Sequence, residues 1–192
     1  MMDFLSIFPI YYLSSVFKVM GMELGGFDDL MLTTVGSFGS LANGLSRVIL
    51  GSMQDKSGFS SIYRTILVLE LFVCILTPTI VETNKWVYLV AIFITFGCLG
   101  AHFVIFPNVM LKIYGLKAGV TLSAITYATR ACSTLSAAFL SKWLTKTYGV
   151  MAHSYLLYIS VVLLIGSLLI KECLFSEEPI RKKAEQMPLL TN

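Results

Sequence analysis

Long apolar segments separated by short polar joints constrain the fold of this chain more than any other feature. Six such segments can be marked, at residues 4–22, 30–53, 62–81, 86–110, 118–140 and 150–171. Each is close to the roughly 20 residues that an α-helix needs to cross a bilayer. Every backbone polar group in lipid must be hydrogen-bonded within the protein, which helices achieve by themselves. The sequence therefore predicts an all-α, polytopic membrane protein with six transmembrane helices.

The composition of the 192-residue chain agrees with this class, since 56% of its residues are hydrophobic and only 13% are charged. A soluble domain averages about 25% charged residues. The net charge of +3 is small and the basic residues are dispersed, which argues against a nucleic-acid partner. The four cysteines have no CxxC spacing and no clustered histidines. We therefore expect no metal or cofactor. The predicted spans contain no nucleophile–base pair, so we do not expect an enzyme.

The distribution of lysine and arginine predicts the orientation, because these residues favour cytoplasmic loops. With both termini cytoplasmic, eight basic residues lie on the inner side and four on the outer side. We predict a six-helix bundle over 1–175 and a cytoplasmic tail over 176–192. Within the tail, Glu185, Leu189 and Leu190 match an acidic dileucine sorting pattern. This pattern suggests the plasma membrane or an endolysosomal or vacuolar membrane.

Ionisable residues inside the predicted spans are the candidate functional groups. Arg47 lies about 10 Å below the hydrocarbon boundary, at ~1.5 Å per residue, and such a charge costs roughly 2.5–3.5 kcal/mol to insert. Arg130, Glu70 and His102 also fall within spans. Two arginines facing one cavity would form a divalent anion site, because a guanidinium binds a carboxylate through two hydrogen bonds. Alternatively, each arginine pairs internally, for example with Glu70, or reaches the membrane interface.

Two further polar residues could complete such a site. His102 has an unperturbed pKa near neutral, so it could carry a coupled proton or remain neutral and hydrogen-bonded. Asn43 precedes Arg47 by four residues and shares its helical face. It could orient the guanidinium or simply line a polar cavity.

Several motifs resemble one superfamily of transporters. The run Gly51-x-x-x-Asp55-Lys56-x-Gly58 resembles the cytoplasmic loop signature of the major facilitator superfamily. Four further motifs are similar to its oxalate/formate antiporter-like branch and to the related monocarboxylate porters. They are Asn43-x-x-x-Arg47-x-x-x-Gly51, Phe106-Pro107, Tyr114-Gly115-x-Lys117-x-Gly119 and Tyr127-x-x-Arg130. The resemblance covers nearly the whole chain as helices 7 to 12, the C-terminal half.

That resemblance implies transport of small organic anions, either mono- or dicarboxylates, by alternating access. In the antiporter branch an arginine and a lysine bind the substrate carboxylates, and their positions match Arg47 and Arg130. Asn43, His102 and Tyr127 would line the site. The residues of the implied cytoplasmic gating loop are Gly51, Asp55, Lys56 and Gly58. Asn43 stands where monocarboxylate porters have an acidic residue that takes part in proton coupling, which favours exchange, uniport or coupling elsewhere.

Members of that superfamily bind substrate between two six-helix halves, so this chain would supply one wall of the cavity. We therefore expect either a fragment that lacks the N-terminal six-helix half or a chain that pairs with another half-transporter. The alternative function is a transport-inactive half-transporter that acts as a membrane-embedded partner or regulator of a full transporter.

Overall fold

The computed structural model describes residues 1–174, and the predicted tail with its dileucine pattern lies outside them. The α-helices are α1 (Met2–Glu23), α2 (Asp29–Ser57), α3 (Phe59–Thr83), α4 (Lys85–Tyr148) and α5 (Ala152–Leu174), with a 3-10 turn at Gly149–Met151. No strand occurs within the described part of the chain. The predicted all-α class is confirmed.

The joints between helices are shorter than the sequence predicts. Helix α2 continues through Ser57, and only Gly58, with φ of 81°, separates it from α3. Residues 112–117 are helical except for Gly115, whose φ of 73° breaks α4 into two parts. Gly149, with φ of 59°, ends α4. Glycine lacks a Cβ and tolerates positive φ, so one such residue can replace a longer loop.

Side-chain caps determine where two of the helices begin. Asp28 accepts a hydrogen bond from the backbone N–H of Leu30 at 3.2 Å and caps α2. Asn84 accepts hydrogen bonds from the N–H groups of Trp86 and Val87, at 2.9 and 3.3 Å, and caps α4. These caps satisfy amide donors that have no partner within the first turn of a helix.

Three stretches of the described residues are long and apolar enough to cross a membrane: Met2–Glu23, Phe59–Thr83 and Lys85–Cys173. The last stretch contains both parts of α4, the 3-10 turn and most of α5. Helix α2 falls outside this group because it carries more polar residues. These helices identify an integral membrane protein, while six separate spans remain a prediction.

Helix α4 is the central element, since it packs against α1, α2 and α3. It approaches α2 closely at Gly100, where the main-chain oxygen of Asn43 and the hydroxyl of Ser46 occupy the space that a Cβ would need. One turn later along each helix lie Phe103 and Arg47. The close contact at Gly100 therefore determines how Arg47 meets α4.

Candidate functional site

A buried ion pair joins the start of α1 to the second part of α4. Arg130 Nε donates to Asp3 Oδ2 at 2.7 Å, and Arg130 Nη2 approaches Asp3 Oδ1 at 3.2 Å. Both residues are almost inaccessible, with 2% and 4% of their surfaces exposed. Arg130 Nη2 also donates to the main-chain oxygen of His102 at 2.7 Å. Arg130 therefore pairs with a carboxylate inside the protein, which was one of the two alternatives that the sequence allowed. Its partner is Asp3 and not Glu70.

A second buried pair joins α3 to the first part of α4. His102 Nε2 lies 2.8 Å from Glu70 Oε1, and neither side chain is accessible to solvent. The imidazole stacks on Phe106 with the ring centroids 5.9 Å apart. The edge of the Tyr63 ring lies against it, at a centroid distance of 6.1 Å. Aromatic rings therefore hold the imidazole in a fixed orientation.

The two pairs form one unit, because His102 Nδ1 lies 3.7 Å from Asp3 Oδ1. We call Asp3, Glu70, His102 and Arg130 the buried charge cluster. Within the described residues, Glu70 Oε2, His102 Nδ1 and Arg130 Nη1 are buried and make no hydrogen bond. Buried polar atoms are nearly always hydrogen-bonded, so three such atoms in one cluster require a physical explanation, of which a functional role is one.

Among the carboxylates of residues 1–174, none neutralises Arg47, which is the remaining cation of the site. Its side chain is exposed, and it forms no ion pair with any residue in 1–174. Arg47 Nη2 donates to Asn43 Oδ1 at 2.9 Å, as their four-residue spacing predicts. The guanidinium carbon lies 4.8 Å from the centroid of the Phe103 ring. Asn43 therefore orients Arg47 over an aromatic surface.

Phe103 connects Arg47 to the buried charge cluster. The guanidinium carbon of Arg130 lies 5.2 Å from the centroid of the Phe103 ring, so both arginines contact the same side chain. Tyr127 stacks on Phe103 with the centroids 6.1 Å apart, and its hydroxyl donates to the main-chain oxygen of Phe103 at 3.3 Å. A guanidinium over an aromatic face is stabilised electrostatically.

The structure brings together all five predicted binding residues: Arg47, Arg130, Asn43, His102 and Tyr127. Their role in binding stays a prediction. Sequence reasoning missed Asp3 and Phe103. Asp3 had a recognisable signal, because it is a carboxylate at the very edge of an apolar segment. Phe103 had none, since it is one phenylalanine among 13.

The four residues of the predicted gating loop do not form a loop. Gly51, Asp55 and Lys56 lie within α2, and only Gly58 has a non-helical backbone. Asp55 Oδ1 accepts from Lys112 Nζ at 2.8 Å, which ties the end of α2 to α4. A Cβ added at Gly51 would meet the Val104 side chain at 2.9 Å. A role of these residues in gating stays a prediction.

A separate apolar cavity of about 340 Å³ lies between α2, α3 and the first part of α4. Leu45, Ile49, Ile66 and Phe93 are among the residues that line it. Among residues 1–174, no lysine, arginine or histidine lines this cavity, so it provides no cationic side chain for an anion. Within residues 1–174, no group of three His, Cys, Asp or Glu side chains is placed to hold a metal ion.

The fold and the site together define an all-α integral membrane protein. In it, Arg47, which no carboxylate of residues 1–174 neutralises, adjoins a buried charge cluster. Among curated proteins, the chain is similar to "Apicoplast pyruvate carrier 1" of Toxoplasma gondii. The two are 25% identical over 155 residues, which is 81% of this chain and 28% of that protein. The chain thus spans little more than a quarter of the relative's length. No family model and no solved structure matches the chain.

These comparisons correct the predicted relationship. We predicted the C-terminal half of a major facilitator superfamily transporter, close to the oxalate/formate antiporter-like and monocarboxylate porter branches. No family model supports that assignment, and the relative that matches is described as a pyruvate carrier. The motifs behind the prediction are short, and the structure shows that one of them, over 51–58, is mostly helix. The assignment to that superfamily is therefore withdrawn.

Proposed function

We propose that this protein takes part in the transport of a small monocarboxylate, of the size and charge of pyruvate, across a membrane. The single observation that carries the proposal is the free guanidinium of Arg47 beside the Phe103 ring. The relative named as a pyruvate carrier supports the same substrate class. No covalent step is required, because transport needs only binding and release.

The balance of charge favours one carboxylate over two. A dicarboxylate needs two available cations, but Arg130 already makes two contacts with Asp3. Only Arg47 offers a guanidinium that no carboxylate in residues 1–174 neutralises. A monocarboxylate therefore matches the site in charge.

Each neighbouring side chain has a distinct role in the proposed complex. The carboxylate binds the guanidinium fork of Arg47, for which two parallel hydrogen bonds are the favoured geometry. Asn43 holds that fork in orientation through its side-chain oxygen. Phe103 and Tyr127 provide an aromatic surface for the apolar end of the substrate. The guanidinium of Arg130 also contacts the Phe103 ring, but its charge is neutralised by Asp3.

The proposed topology has six spans, with the two parts of α4 crossing separately on either side of Gly115. Its support is the positive φ of Gly115 and Gly149, which allows the chain to reverse direction within one residue. An even number of spans places both termini on one side, and the distribution of basic residues favours the cytoplasm. Tags at each end, tested for protease protection in sealed vesicles, would reveal an odd number of spans. Imaging would distinguish the plasma, endolysosomal or vacuolar membrane from an organelle of the kind in the relative's name.

The decisive experiment measures pyruvate binding to the purified full-length chain in detergent, for wild type and Arg47→Gln. Hydrogen bonds to a charged group contribute about 1.5–3 kcal/mol each. Since about 1.4 kcal/mol is a tenfold change in affinity, Arg47→Gln should weaken binding at least tenfold. Uptake of labelled pyruvate by proteoliposomes should fall in parallel.

Lys146→Gln is the matched control, because it removes one exposed positive charge near the far end of α4. Binding by this variant should equal that of wild type, and both variants should elute as folded protein in size-exclusion chromatography. Equal pyruvate affinity in Arg47→Gln and wild type would refute the site. Tighter binding of a dicarboxylate than of pyruvate would refute the charge argument.

A second candidate function is that of a membrane-embedded partner without transport activity of its own. The observation that favours it is that the similarity spans only 28% of the relative. Pyruvate binding without uptake in proteoliposomes, together with co-purification of a larger membrane protein, would favour this function. Uptake by the chain alone would exclude it.

A further inference from the structure

We propose that the apolar cavity between α2, α3 and the first part of α4 holds one acyl chain of an anionic phospholipid, and that Lys56 binds the phosphate of the same lipid. The proposal adds a lipid site to the protein and does not depend on the proposed transport of a monocarboxylate. It is carried by the chemistry of the cavity lining and by the position of a cation just beyond one end of the cavity.

The lining of the cavity suits hydrocarbon better than water. The cavity volume of about 340 Å³ lies within the range of about 300–1,000 Å³ that is usual for ligand sites. The hydroxyl groups of the lining belong to Ser46 and Thr65. Each donates a hydrogen bond within its own helix, to the main-chain oxygens of Asn43 at 3.0 Å and Ser61 at 3.1 Å respectively. An apolar cavity without unsatisfied polar groups stays dry and takes up apolar molecules.

The cavity opens at the lateral surface of the helices. Ile66 and Cys98 belong to the buried part of its lining, whereas Leu45, Ile49 and Leu69 are exposed. A chain can therefore enter from the side while the helices stay in place. Within the hydrocarbon core of a bilayer, the molecules that surround such an opening are lipids. An acyl chain in the cavity gives the lining atoms the van der Waals contacts that they lack against an empty space.

Lys56 lies on the face of α2 that lines the cavity. Leu45, Ile49 and Met53 form part of this face at intervals of four residues. Lys56 follows Met53 by three residues, which keeps it on the same face, about 4.5 Å further along the helix axis. The apolar stretch of α3 that is long enough to cross a membrane begins nearby, at Phe59. Lys56 is therefore at the level of the membrane interface, where lipid phosphates lie.

The charge of Lys56 is available to a lipid. Its side chain is exposed and forms no ion pair with any residue in 1–174. The nearby carboxylate of Asp55 is paired with Lys112 at 2.8 Å. Arg64, close to the start of α3, is paired with Glu172 at 2.8 Å. An ammonium group binds phosphate as a point charge with three donors. An apolar cavity with a cation beyond its end thus matches the two parts of an anionic phospholipid.

The test measures lipid binding to the purified, delipidated full-length chain in detergent by native mass spectrometry. The probes are phosphatidylglycerol and phosphatidylcholine with identical acyl chains, because the two lipids differ in net charge. One lysine near an anionic lipid should change the affinity about fivefold. Wild type should therefore bind the first phosphatidylglycerol about fivefold more tightly than the first phosphatidylcholine. Glycerol 3-phosphate, which has the phosphate but no acyl chain, should not bind at concentrations that saturate the lipid site.

Two variants test the two parts of the site, each with a matched control. Lys56→Gln should bind both lipids equally, whereas Lys146→Gln, which removes an exposed lysine near the end of α4, should keep the fivefold preference. Gly97→Leu should fill the cavity, because Gly97 lines it and a Cβ there meets no atom within 4 Å. Binding of both lipids at the first site should then be lost. Gly44→Leu is the same change at a glycine with equal space that lies outside the lining, and it should bind lipid as wild type does.

Each result supports or overturns the lipid site. Equal affinity of wild type for the two lipids would overturn it, as would a preference that survives in Lys56→Gln. Tight lipid binding by Gly97→Leu that elutes as folded protein would show that the acyl chain lies elsewhere. If Gly97→Leu does not fold, Lys56→Gln and Lys146→Gln still decide. Binding of glycerol 3-phosphate as tight as that of phosphatidylglycerol would indicate a site for free anions and overturn the proposal. The pyruvate site at Arg47 stands or fails by its own assay.

Discussion

The contact between α2 and α4 at Gly100 allows a quantitative test of how the site is built. An alanine Cβ at position 100 would lie 2.9 Å from the carbonyl carbon of Asn43 and closer still to its oxygen. Carbon atoms pack at about 3.5–4.0 Å, so the new methyl group is ~1 Å too close to backbone atoms. Backbone atoms cannot rotate away as a flexible side chain can. Gly100→Ala must therefore push the two helices apart.

Overpacking of this kind costs about 1–3 kcal/mol. In a chain of this size, 1 kcal/mol shifts the melting temperature by roughly 2–4 °C. The expected loss for Gly100→Ala is therefore about 2–12 °C. The same displacement moves Arg47 away from Phe103, where a cation–π contact at an exposed site contributes roughly 0.5–1 kcal/mol. Under the proposed function, pyruvate affinity should fall severalfold as a consequence.

Helix melting followed by circular dichroism in detergent measures the first effect, and pyruvate titration measures the second. Gly97→Ala is the matched control, because a Cβ at this position, one turn earlier in α4, meets no atom within 4 Å. Replacing a helical glycine with alanine at such a position should stabilise the protein by about 0.5–1 kcal/mol. Equal melting temperatures for the two variants would refute the claim that Gly100 sets the distance between these helices.

Two further substitutions separate buried from exposed ion pairs. Asp3→Asn leaves Arg130 without its direct counter-ion, and we expect a loss of about 3 kcal/mol. This value is at the lower end of the usual cost of breaking a buried ion pair, because Glu70 remains in the cluster. An unchanged melting temperature would contradict the buried pair. Arg64→Gln removes a two-contact pair with Glu172, both partners of which are about half exposed. Its effect should stay below about 1 kcal/mol, and a larger loss in the same melting assay would show that this pair is more important than its exposure indicates.

Much of the helical architecture could be predicted from the sequence, because apolar segments of spanning length have few alternatives to helix in lipid. Five of the six marked segments lie within a helix or within one part of α4, and the sixth, 150–171, begins in the 3-10 turn and continues through α5. The joints were harder to predict. Residues 112–117 and 141–149 contain lysines and glycines that look like loop residues, yet all except Gly115 and Gly149 are α-helical. A charged side chain at the end of a span is compatible with both a loop and a last helical turn, so composition alone does not distinguish them.

The site was predictable only in part. Arg47 and Asn43 pair as their spacing of four residues in one helix predicts. The partner of Arg130 was not predictable in this way, because Asp3 lies 127 residues away in sequence. Which residues face each other across two helices depends on the rotation and axial shift of each helix. Those quantities follow from packing at places such as Gly100, and no local pattern records them.

The sequence by itself determined that this protein is helical and membrane-embedded, and that a few ionisable groups lie where lipid makes them costly. The physical reason is that the solvation of apolar segments and of single charges depends on the residues themselves. Only the tertiary structure decided which of those charges neutralise one another and which remains available. Neutralisation depends on distances between separate helices. Those distances left Arg47 with no carboxylate partner among residues 1–174, buried Arg130 against Asp3 and placed His102 between two carboxylates.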